Sequence, residues 1–405
     1  EKFTPINIEK FNDNDLNRYY DILSASIEIR LSDNINWLYM SSGWDSSALL
    51  AFLIELKGKN KIRPMITRYK MSKKSGIINQ FEIDRALKIT DYYGIPLEIL
   101  DTDYTNSEYI EYLLEIKNTL KHNHLYALQA YDYFRMAKYL KDNSSEEDNV
   151  FIGEISDGAH NLGFSQFATI LEHPDLNFRE YADKFCSYLY GPSFFDRIIN
   201  NKHEDDFIYK IMKDRIGNSN FYDTSRFNKK EIKQYFLESF FMNVTRIPFS
   251  NLEKNNIVKS KGINSYRKLV FENYFDELLE TLSSKNIYSI ILHLYNSFHW
   301  QGGTVKGHLQ ALNYYNFAAE LPFWDTRMQN FLSQMPENWG RGLELKPTKY
   351  PLKWTLKNKI DYPNHLQIGP HSYLYDIDPS WSSKKDLIFG SAGKEKFQEV
   401  IRDFK

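Results

Sequence analysis

The sequence predicts an α/β fold, with a doubly wound parallel sheet followed by a large C-terminal helical layer. Short apolar runs alternate with amphipathic segments of ten or more residues over the first 150 residues, as in strands joined by crossover helices. Beyond residue 165 helical periodicity dominates and strand signals are sparse. We therefore predict an α/β region over residues 1–165. A mainly helical region over 166–405 is expected to pack on it, complete the substrate pocket and form one integrated domain with it.

The α/β region alternates predicted helices and strands. A helix over 16–31 comes first, with Asp13 or Asn14 placed to cap it, and leads into a strand over 36–40. The apolar runs are continuous, as expected for parallel strands covered on both faces. The other predicted strands are 62–68, 95–100 and 150–152, and the other predicted helices of this region are 48–56, 82–93, 109–120 and 126–140.

The C-terminal region contains helical patterns separated by polar stretches. Residues 202–230 are charge-rich and are predicted to form a loop, as are the basic residues 70–76 in the first region. Five lysines within 346–359 predict a solvated surface. The predicted helices are 178–190, 231–244, 268–282, 287–298, 305–317 and 393–404.

The composition limits which partners and which compartment we expect for the protein. The 405 residues carry a net charge of −2, which gives no reason to expect nucleic acid or an anionic membrane as partner. Cys186 is the only cysteine, so a disulfide framework within the chain and a multi-cysteine metal site are excluded, and a reducing compartment is expected. No apolar run is long enough to span a bilayer and no signal peptide is visible. We expect a cytoplasmic protein.

One polar turn separates the first predicted strand from the helix after it. It reads Ser41-Ser42-Gly43-Trp44-Asp45-Ser46-Ser47 and follows Met40. A helix N-terminus offers backbone N–H groups, and small hydroxyl residues with a glycine suit phosphate oxygens. The Asp45 carboxylate would serve a bridging cation. The alternative is an ordinary N-cap, since serine and aspartate are common there; no Gly-Lys-Ser/Thr sequence makes it a Walker motif.

A second polar turn follows the last strand of the α/β region. Residues 153–158 read Gly-Glu-Ile-Ser-Asp-Gly, which places the carboxylates of Glu154 and Asp157 three residues apart. The carboxyl ends of parallel strands meet at one edge of a sheet, so these residues are expected beside Asp45. The alternative is that both carboxylates only cap and stabilise the turn.

The two turns resemble those of a known enzyme superfamily. Residues 41–46 are similar to the Ser-Gly-Gly-x-Asp-Ser PP-loop of the N-type ATP pyrophosphatases. Within it the chain resembles the synthetase domain of asparagine synthetase and its relatives, the β-lactam synthetases and lasso-peptide cyclases. Residues 153–157 are similar to the family's Gly-Glu-Gly-Ser/Ala-Asp, with Gly163 further on. Other similarities are the lead-in 27–33, Leu-Pro-Phe-Trp-Asp at 321–325 against Val-Pro-Phe-Leu-Asp, and Lys-Tyr-Pro-Leu-Lys at 349–353 against Lys-x-x-Leu-Arg.

The chain also departs from the family pattern. Ser42 replaces the first loop glycine, and Glu320 stands where the family has arginine before Val-Pro-Phe. No N-terminal cysteine nucleophile and no glutaminase region is visible. We expect that a glutaminase was removed upstream, that it is a separate chain supplying ammonia, or that the nitrogen has another donor. The family's late lysine has no single counterpart, and four residues compete for its role: Lys349, Lys353, Lys357 and Lys359.

The resemblance implies an AMP-forming ligase that uses ATP and Mg²⁺. A carboxylate of a small molecule or peptide attacks the α-phosphate, pyrophosphate leaves, and a nitrogen nucleophile then displaces AMP to form an amide. The acid is expected to be a sugar acid, a peptide or an amino acid. The alternative is a degenerate relative that binds nucleotide or a partner without catalysis. Sulfur transfer or RNA modification is disfavoured by the near-neutral charge and the lack of a second cysteine.

The resemblance also implies residue roles. Glu154 would orient or deprotonate the amine, and Lys349 would offset negative charge as the adenylate collapses. Asp45 and Asp157 would hold Mg²⁺. The nucleotide would contact the first turn and the main chain at strand ends, which together comprise Met40, Ser41, Ser42, Gly43, Asp45, Ser46, Ser47, Ile66, Thr67, Ile152 and Gly153.

Overall fold

The computed structural model of the chain describes residues 3–6, 11–72, 76–162, 176–243, 246–251, 260–299, 304–368 and 400. It is a mixed α/β structure with a mostly parallel sheet and helical layers, which confirms the predicted class at this level. Two compact units interleave along the chain. Unit 1 comprises Glu1–Asp15, Asp157–His299 and Gln329–Pro351, and unit 2 comprises Leu16–Ser156, Trp300–Met328 and Leu352–Lys405. The predicted boundary at residue 165 lies outside the described residues.

The regular elements follow one another along the chain from α1 to α16. In order they are α1 (Asp13–Glu28), β1 (Asn36–Tyr39), α2 (Trp44–Lys57), β2 (Ile62–Ser72), β3 (Gly76–Ile77), α3 (Gln80–Tyr93), β4 (Glu98–Asp103), α4 (Ser107–His122), α5 (Gln129–Asn143), β5 (Asn149–Ile152), α6 (Ser156–Asn161), α7 (Leu176–Leu189), α8 (Pro192–Ile199), α9 (Phe207–Ile216), α10 (Lys229–Phe241), α11 (Ser260–Val270), α12 (Asp276–Thr281), α13 (Ile287–Leu294), α14 (Thr304–Tyr314), β6 (Ala319–Glu320), α15 (Thr326–Gln334) and α16 (Tyr350–Asn358).

The sheet belongs to unit 2. Its parallel strands lie in the order β4-β2-β1-β5-β6, and β3 pairs with the end of β2 in the antiparallel sense. Tyr39, the last residue of β1, lies opposite Met65 on one side and Ile152 on the other. All four residues of β1 are buried, as expected for a central strand covered on both faces.

Two strands differ from their predicted bounds. β4 begins at Glu98, because the backbone N–H of Ile95 is used to close α3 through the Thr90 carbonyl after left-handed Gly94. β2 continues into the predicted 70–76 loop and ends at Ser72. Lys70 pairs with Asp103 of β4, and their side chains form a 2.7 Å ion pair. Lys70, which was predicted to lie in a loop, is therefore a strand residue.

Other local predictions were wrong in instructive ways. The cap of α1 is not Asp13 or Asn14 but Asn12, whose Oδ1 accepts from the Asn14 backbone N–H at 2.8 Å. The predicted 202–230 loop contains α9, which Asp206 caps through two backbone N–H groups. The predicted helix over 393–404 lies outside the described residues, apart from residue 400.

Unit 1 has an aromatic helical core. Phe240 of α10 packs edge-on against Tyr190 and Tyr295, with ring centroids 4.6 and 5.2 Å apart. The Tyr295 hydroxyl accepts from Arg246 and donates to the backbone carbonyl of Leu162. The buried Tyr295 hydroxyl needs partners, and the guanidinium and carbonyl supply them.

Candidate functional site

The first turn, residues 41–47, follows the carboxyl end of β1 in unit 2. The backbone N–H of Met40 still donates to Met65 O at 2.8 Å, so the turn begins at Ser41. Ser42 has a φ of 56°, a left-handed conformation that costs a residue with a Cβ about 1 kcal/mol or more. Gly43 then returns to extended backbone and precedes α2. The family's glycine at the position of Ser42 would fit this conformation without strain.

The turn's hydroxyls are hydrogen-bonded within the chain. Ser46 Oγ accepts from the Ser41 backbone N–H at 3.0 Å and lies 3.2 Å from Ser41 Oγ. Ser47 Oγ donates to Gly43 O at 2.6 Å. Ser41 is exposed, whereas Ser42, Ser46 and Ser47 are buried. Of these hydroxyls, that of Ser41 is the most accessible to a ligand.

Side chains from distant segments of unit 2 line this turn. Tyr362 OH lies 2.7 Å from Ser47 Oγ, and its ring stacks on that of Trp44. Gln367 Nε2 donates to Ser42 O and Ser47 Oγ, each at 3.0 Å. Sequence reasoning missed both residues, since no local pattern marks a contact more than 300 residues away along the chain.

Arg85 is a further residue that the sequence did not indicate. It is buried on α3, and its Nε donates to Ser42 Oγ at 3.1 Å. The hydroxyl that replaces the family's glycine therefore has a charged donor of its own. Its loss would cost more than that of an ordinary surface hydroxyl.

The two predicted turns meet at the carboxyl edge of the sheet. Ser156 Oγ, at the start of α6, donates to Asp45 Oδ1 at 2.7 Å. A Cβ built on Gly153 would lie 3.2 Å from the backbone N of Ser46. Gly153 thus permits close approach of the second turn to the start of α2.

Glu154 is partly exposed, with both carboxylate oxygens in contact with α14. Its Oε2 accepts from Thr304 Oγ1 at 3.1 Å, and its Oε1 lies 3.7 Å from His308 Nε2. Sequence reasoning selected Glu154 and missed these two partners. Their i, i+4 spacing places them on one helix face, but that spacing alone says nothing about what they face.

The predicted adenine contacts lie on buried strands. Ile66 and Thr67 belong to β2, and Thr67 O accepts from Asn79 Nδ2 at 2.8 Å. Among the described residues, the buried Thr67 Oγ1 has no hydrogen-bond partner. Ile152 ends β5 beside Tyr39. These residues lie on the strands expected for the site, and their contacts with a nucleotide stay a prediction.

In unit 1, Asp157 and Lys349 form an ion pair. Lys349 Nζ lies 2.5 Å from Asp157 Oδ1, and the lysine is only 8% exposed, contrary to the solvated surface predicted for 346–359. The backbone N–H of Lys349 donates to Asn161 Oδ1 while the residue holds a left-handed φ of 54°. The ammonium already occupies one oxygen of the carboxylate that the sequence proposed for a metal.

The other candidate lysines differ in their surroundings. Lys353, in unit 2, has its ammonium 5.2 Å from the ring centroid of Trp44 in the first turn. Lys357 and Lys359 are exposed. Which of the four lysines would serve as the late lysine stays a prediction.

The segment after β6 carries the third family similarity. The pKa of Asp325 is lowered to about 2 by hydrogen bonds from Arg327 and then from Arg30. Arg30 also lies 3.5 Å from Glu320, the residue that stands where the family has arginine. Burial raises the pKa of Glu320, and Arg30 opposes this. A guanidinium is thus present beside this strand end, supplied by a different part of the chain.

Among the described residues, no three or more histidine, cysteine, aspartate or glutamate side chains gather as a metal cluster. The proposed donor set is smaller. Mg²⁺ is commonly held by one or two carboxylates together with substrate phosphates, and Asp45 at the helix start fits that pattern.

No helix in the described part of the chain is long and apolar enough to cross a membrane.

No protein-family profile matches the chain, and no curated protein shows significant similarity to it.

Proposed function

We propose that this chain is an ATP-dependent, AMP-forming carbon–nitrogen ligase with a PP-loop-type, doubly wound sheet. It would adenylate a carboxylate and transfer a nitrogen nucleophile to it, as asparagine synthetase-like enzymes do. One observation carries the proposal. The strand order β4-β2-β1-β5-β6 runs outward from β1 and then returns to β5, so the direction changes between those two strands. Ligands of open α/β sheets bind at this switch point, which is where both predicted turns lie.

Each turn has residues suited to one half of the reaction. The amide-rich start of α2 and the exposed Ser41 hydroxyl would bind the triphosphate. Asp45, oriented by Ser156, would hold Mg²⁺, which when bound would neutralise charge on the departing pyrophosphate. Glu154 would orient and deprotonate the amine at the neighbouring strand end. The second predicted ligand, Asp157, and the lysine that serves the adenylate stay predictions.

The acid and the nitrogen donor are left open by these residues. A sugar acid, an amino acid and a peptide carboxylate are the classes we propose to test. Ammonia from a separate or upstream glutaminase and a direct amine substrate are the two nitrogen sources. Action in the cytoplasm likewise stays a prediction.

Pyrophosphate exchange tests the activation step. The full chain is incubated with ATP, Mg²⁺, labelled pyrophosphate and either L-aspartate, D-glucuronate or a synthetic peptide containing aspartate. We expect label to enter ATP with at least one acid, and Asp45→Asn to lower the rate by about 100-fold or more, the order of a lost electrostatic contact in a transition state. Asp33→Asn is the control, because the Asp33 side chain is fully exposed and its carboxylate pairs with Lys57 at the end of α2.

The degenerate alternative has its own support. Ser42 is strained, its hydroxyl is bound by Arg85, and Gln367 and Tyr362 occupy Ser47. These contacts would compete with a triphosphate for the turn. Tight ATP binding by calorimetry, with no exchange for any of the three acids, would favour a nucleotide-binding protein over a ligase.

A further inference from the structure

Helix α14 contacts Glu154 through two residues on one face. Thr304 and His308 are four positions apart, so their side chains point to the same side of the helix. Thr304 Oγ1 donates to Glu154 Oε2 at 3.1 Å, and His308 Nε2 lies 3.7 Å from Oε1. Each carboxylate oxygen therefore faces its own polar side chain of α14. The second distance is longer than a hydrogen bond, and such contacts often shorten when a substrate binds.

The His308 ring is fixed by its surroundings. It is 5% exposed and packs against Tyr133 of α5, with centroids 3.7 Å apart and planes inclined at 31°. Tyr39, the last residue of β1, contacts the ring from another side at 5.6 Å. A ring held between two aromatic side chains has few alternative rotamers, so its Nε2 stays directed at Glu154.

A helix glycine makes this packing feasible. A Cβ built on Gly307 would lie 2.7 Å from Cδ2 of Tyr133, closer than a methyl group can approach. Glycine inside a helix is less favourable than alanine. Because Gly307 has no side chain, the Tyr133 ring has room to lie against His308.

The two ring nitrogens of His308 differ. Within the described part of the chain, the buried Nδ1 has no hydrogen-bond partner, whereas Nε2 faces a carboxylate. A proton on Nδ1 would be a buried donor without an acceptor, and a proton on Nε2 would point to Glu154. The neutral Nε2–H tautomer satisfies more of the ring's hydrogen-bonding capacity.

We propose that Thr304 and His308 are positioning residues that hold the ionised Glu154 carboxylate, by two neutral donors on one face of α14, in the orientation that accepts a proton from the attacking amine. The proposal rests on the ligase function proposed above. In the step served, the amine nitrogen forms the C–N bond, the C–O bond to AMP breaks and AMP leaves with its electron pair. The proton that ammonium must lose before it attacks passes to Glu154, and the proton released as the amide forms passes to solvent.

Nuclear magnetic resonance tests the contact without any substrate. The full chain is labelled with ¹⁵N-histidine, and the His308 signals are assigned by their absence in His308→Gln. We expect a neutral ring protonated on Nε2, whose shifts change in Glu154→Gln. A proton on Nδ1, or signals that ignore Glu154→Gln, would overturn the proposal.

Two pairs of variants test the catalytic consequence. His308→Phe keeps the ring against Tyr133 but removes the donor, and His308→Gln keeps a donor. Thr304→Val and Thr304→Ser form the matching pair for the hydroxyl. His124→Gln, at an exposed histidine paired with Tyr126, is the control.

The assay compares two nucleophiles with ATP and the acids L-aspartate, D-glucuronate and the aspartate peptide. Ammonium must lose a proton before attack, whereas hydroxylamine is unprotonated at neutral pH. We expect His308→Phe and Thr304→Val to lower amide formation from ammonium by roughly ten- to a hundredfold, the order that misplacement of a catalytic group costs. Hydroxamate formation should fall much less, and His308→Gln and Thr304→Ser should recover the ammonium rate.

Three other outcomes would contradict the positioning role. Equal losses with both nucleophiles would show a structural effect on the fold. Loss of the ammonium rate in all four variants would show that side-chain packing, rather than the hydrogen-bond donors, determines that rate. Pyrophosphate exchange separates the two proposals: if no acid supports exchange, the ligase function fails, and the contact seen by magnetic resonance serves only structure.

Discussion

The two turns at the carboxyl edge of the sheet are stabilised by different chemistry. In the first turn, residues 41–47, serine hydroxyls bond to backbone and Tyr362 stacks on Trp44, while Arg85 donates to Ser42 without forming an ion pair there. The region after β5 carries carboxylates, and each has a polar or charged partner. Neutral hydrogen bonds depend on geometry, whereas charges depend on burial and pairing. Variants should therefore affect the two regions differently.

The largest effect is expected at the ion pair of α6. Lys349→Met removes the ammonium that neutralises Asp157 in a partly buried pair, and should lower the free energy of unfolding by about 3 kcal/mol. Urea unfolding followed by circular dichroism measures this loss. The double variant Lys349→Met/Asp157→Asn should regain much of it, because no charge is then left behind.

Lys353→Met is the matched variant for the first turn. Its ammonium lies 5.2 Å from the ring centroid of Trp44, and such an interaction is worth about 1 kcal/mol or less. Equal destabilisation by Lys349→Met and Lys353→Met would contradict the distinction between the charged and the neutral region.

The second prediction compares one glycine from each turn. Gly153→Ala places a Cβ 3.2 Å from the Ser46 backbone nitrogen, and backbone cannot move aside cheaply, so we expect a loss of about 2 kcal/mol in urea unfolding. Gly43→Ala meets only Ser41 Oγ at 3.5 Å with a φ of −73°. It should change stability by less than about 0.5 kcal/mol. If Gly43→Ala is the more harmful, the close approach at Gly153 does not limit the fold.

Local signals in the sequence were sufficient to predict the two turns. The apolar runs around Leu38 and Phe151, each followed by small polar residues, indicate strand, turn and helix without any distant information. The parallel pairing of β1 with β5 then confirms that these turns lie on neighbouring strands. The catalytic roles of Asp45 and Glu154 stay predictions.

What the sequence did not reveal is the set of long-range partners. Gln367, Arg85 and His308 contact the turns through the fold, and nothing near them in the chain distinguishes them from ordinary polar residues. The predicted start of β4 was wrong for the same reason. Ile95 is apolar enough for a strand, yet its backbone N–H closes α3. Competition between neighbouring hydrogen bonds decides such positions.

The third prediction concerns pH and the segment after β6. The pKa of Asp325 is about 2, below its unfolded value, so the carboxylate stabilises the fold above pH 4 and loses that contribution as pH falls through 2. Because Arg327 is half-exposed, we reduce the expected contribution to about 1.5 kcal/mol.

Comparison with Asp325→Asn isolates this group from other carboxylates. At pH 5 the variant should be less stable than the native chain by about 1.5 kcal/mol, and the gap should close by about pH 2. Acid-dependent urea unfolding of both proteins measures it. A gap that stays constant from pH 5 to 2 would mean that Arg30 and Arg327 do not hold Asp325 ionised.

The smallest effect is expected at Ser42, where strain and a hydrogen bond oppose each other. Ser42→Ala loses the bond from Arg85 and keeps the left-handed φ, whereas Ser42→Gly loses the same bond and relieves the strain. The glycine variant should therefore be more stable than the alanine variant by about 1 kcal/mol, read from their urea midpoints. Calorimetric titration of both variants with ATP also measures nucleotide binding, because the loop that the first turn resembles has glycine at this position. If the alanine variant is as stable as the glycine variant, the backbone at Ser42 is not strained.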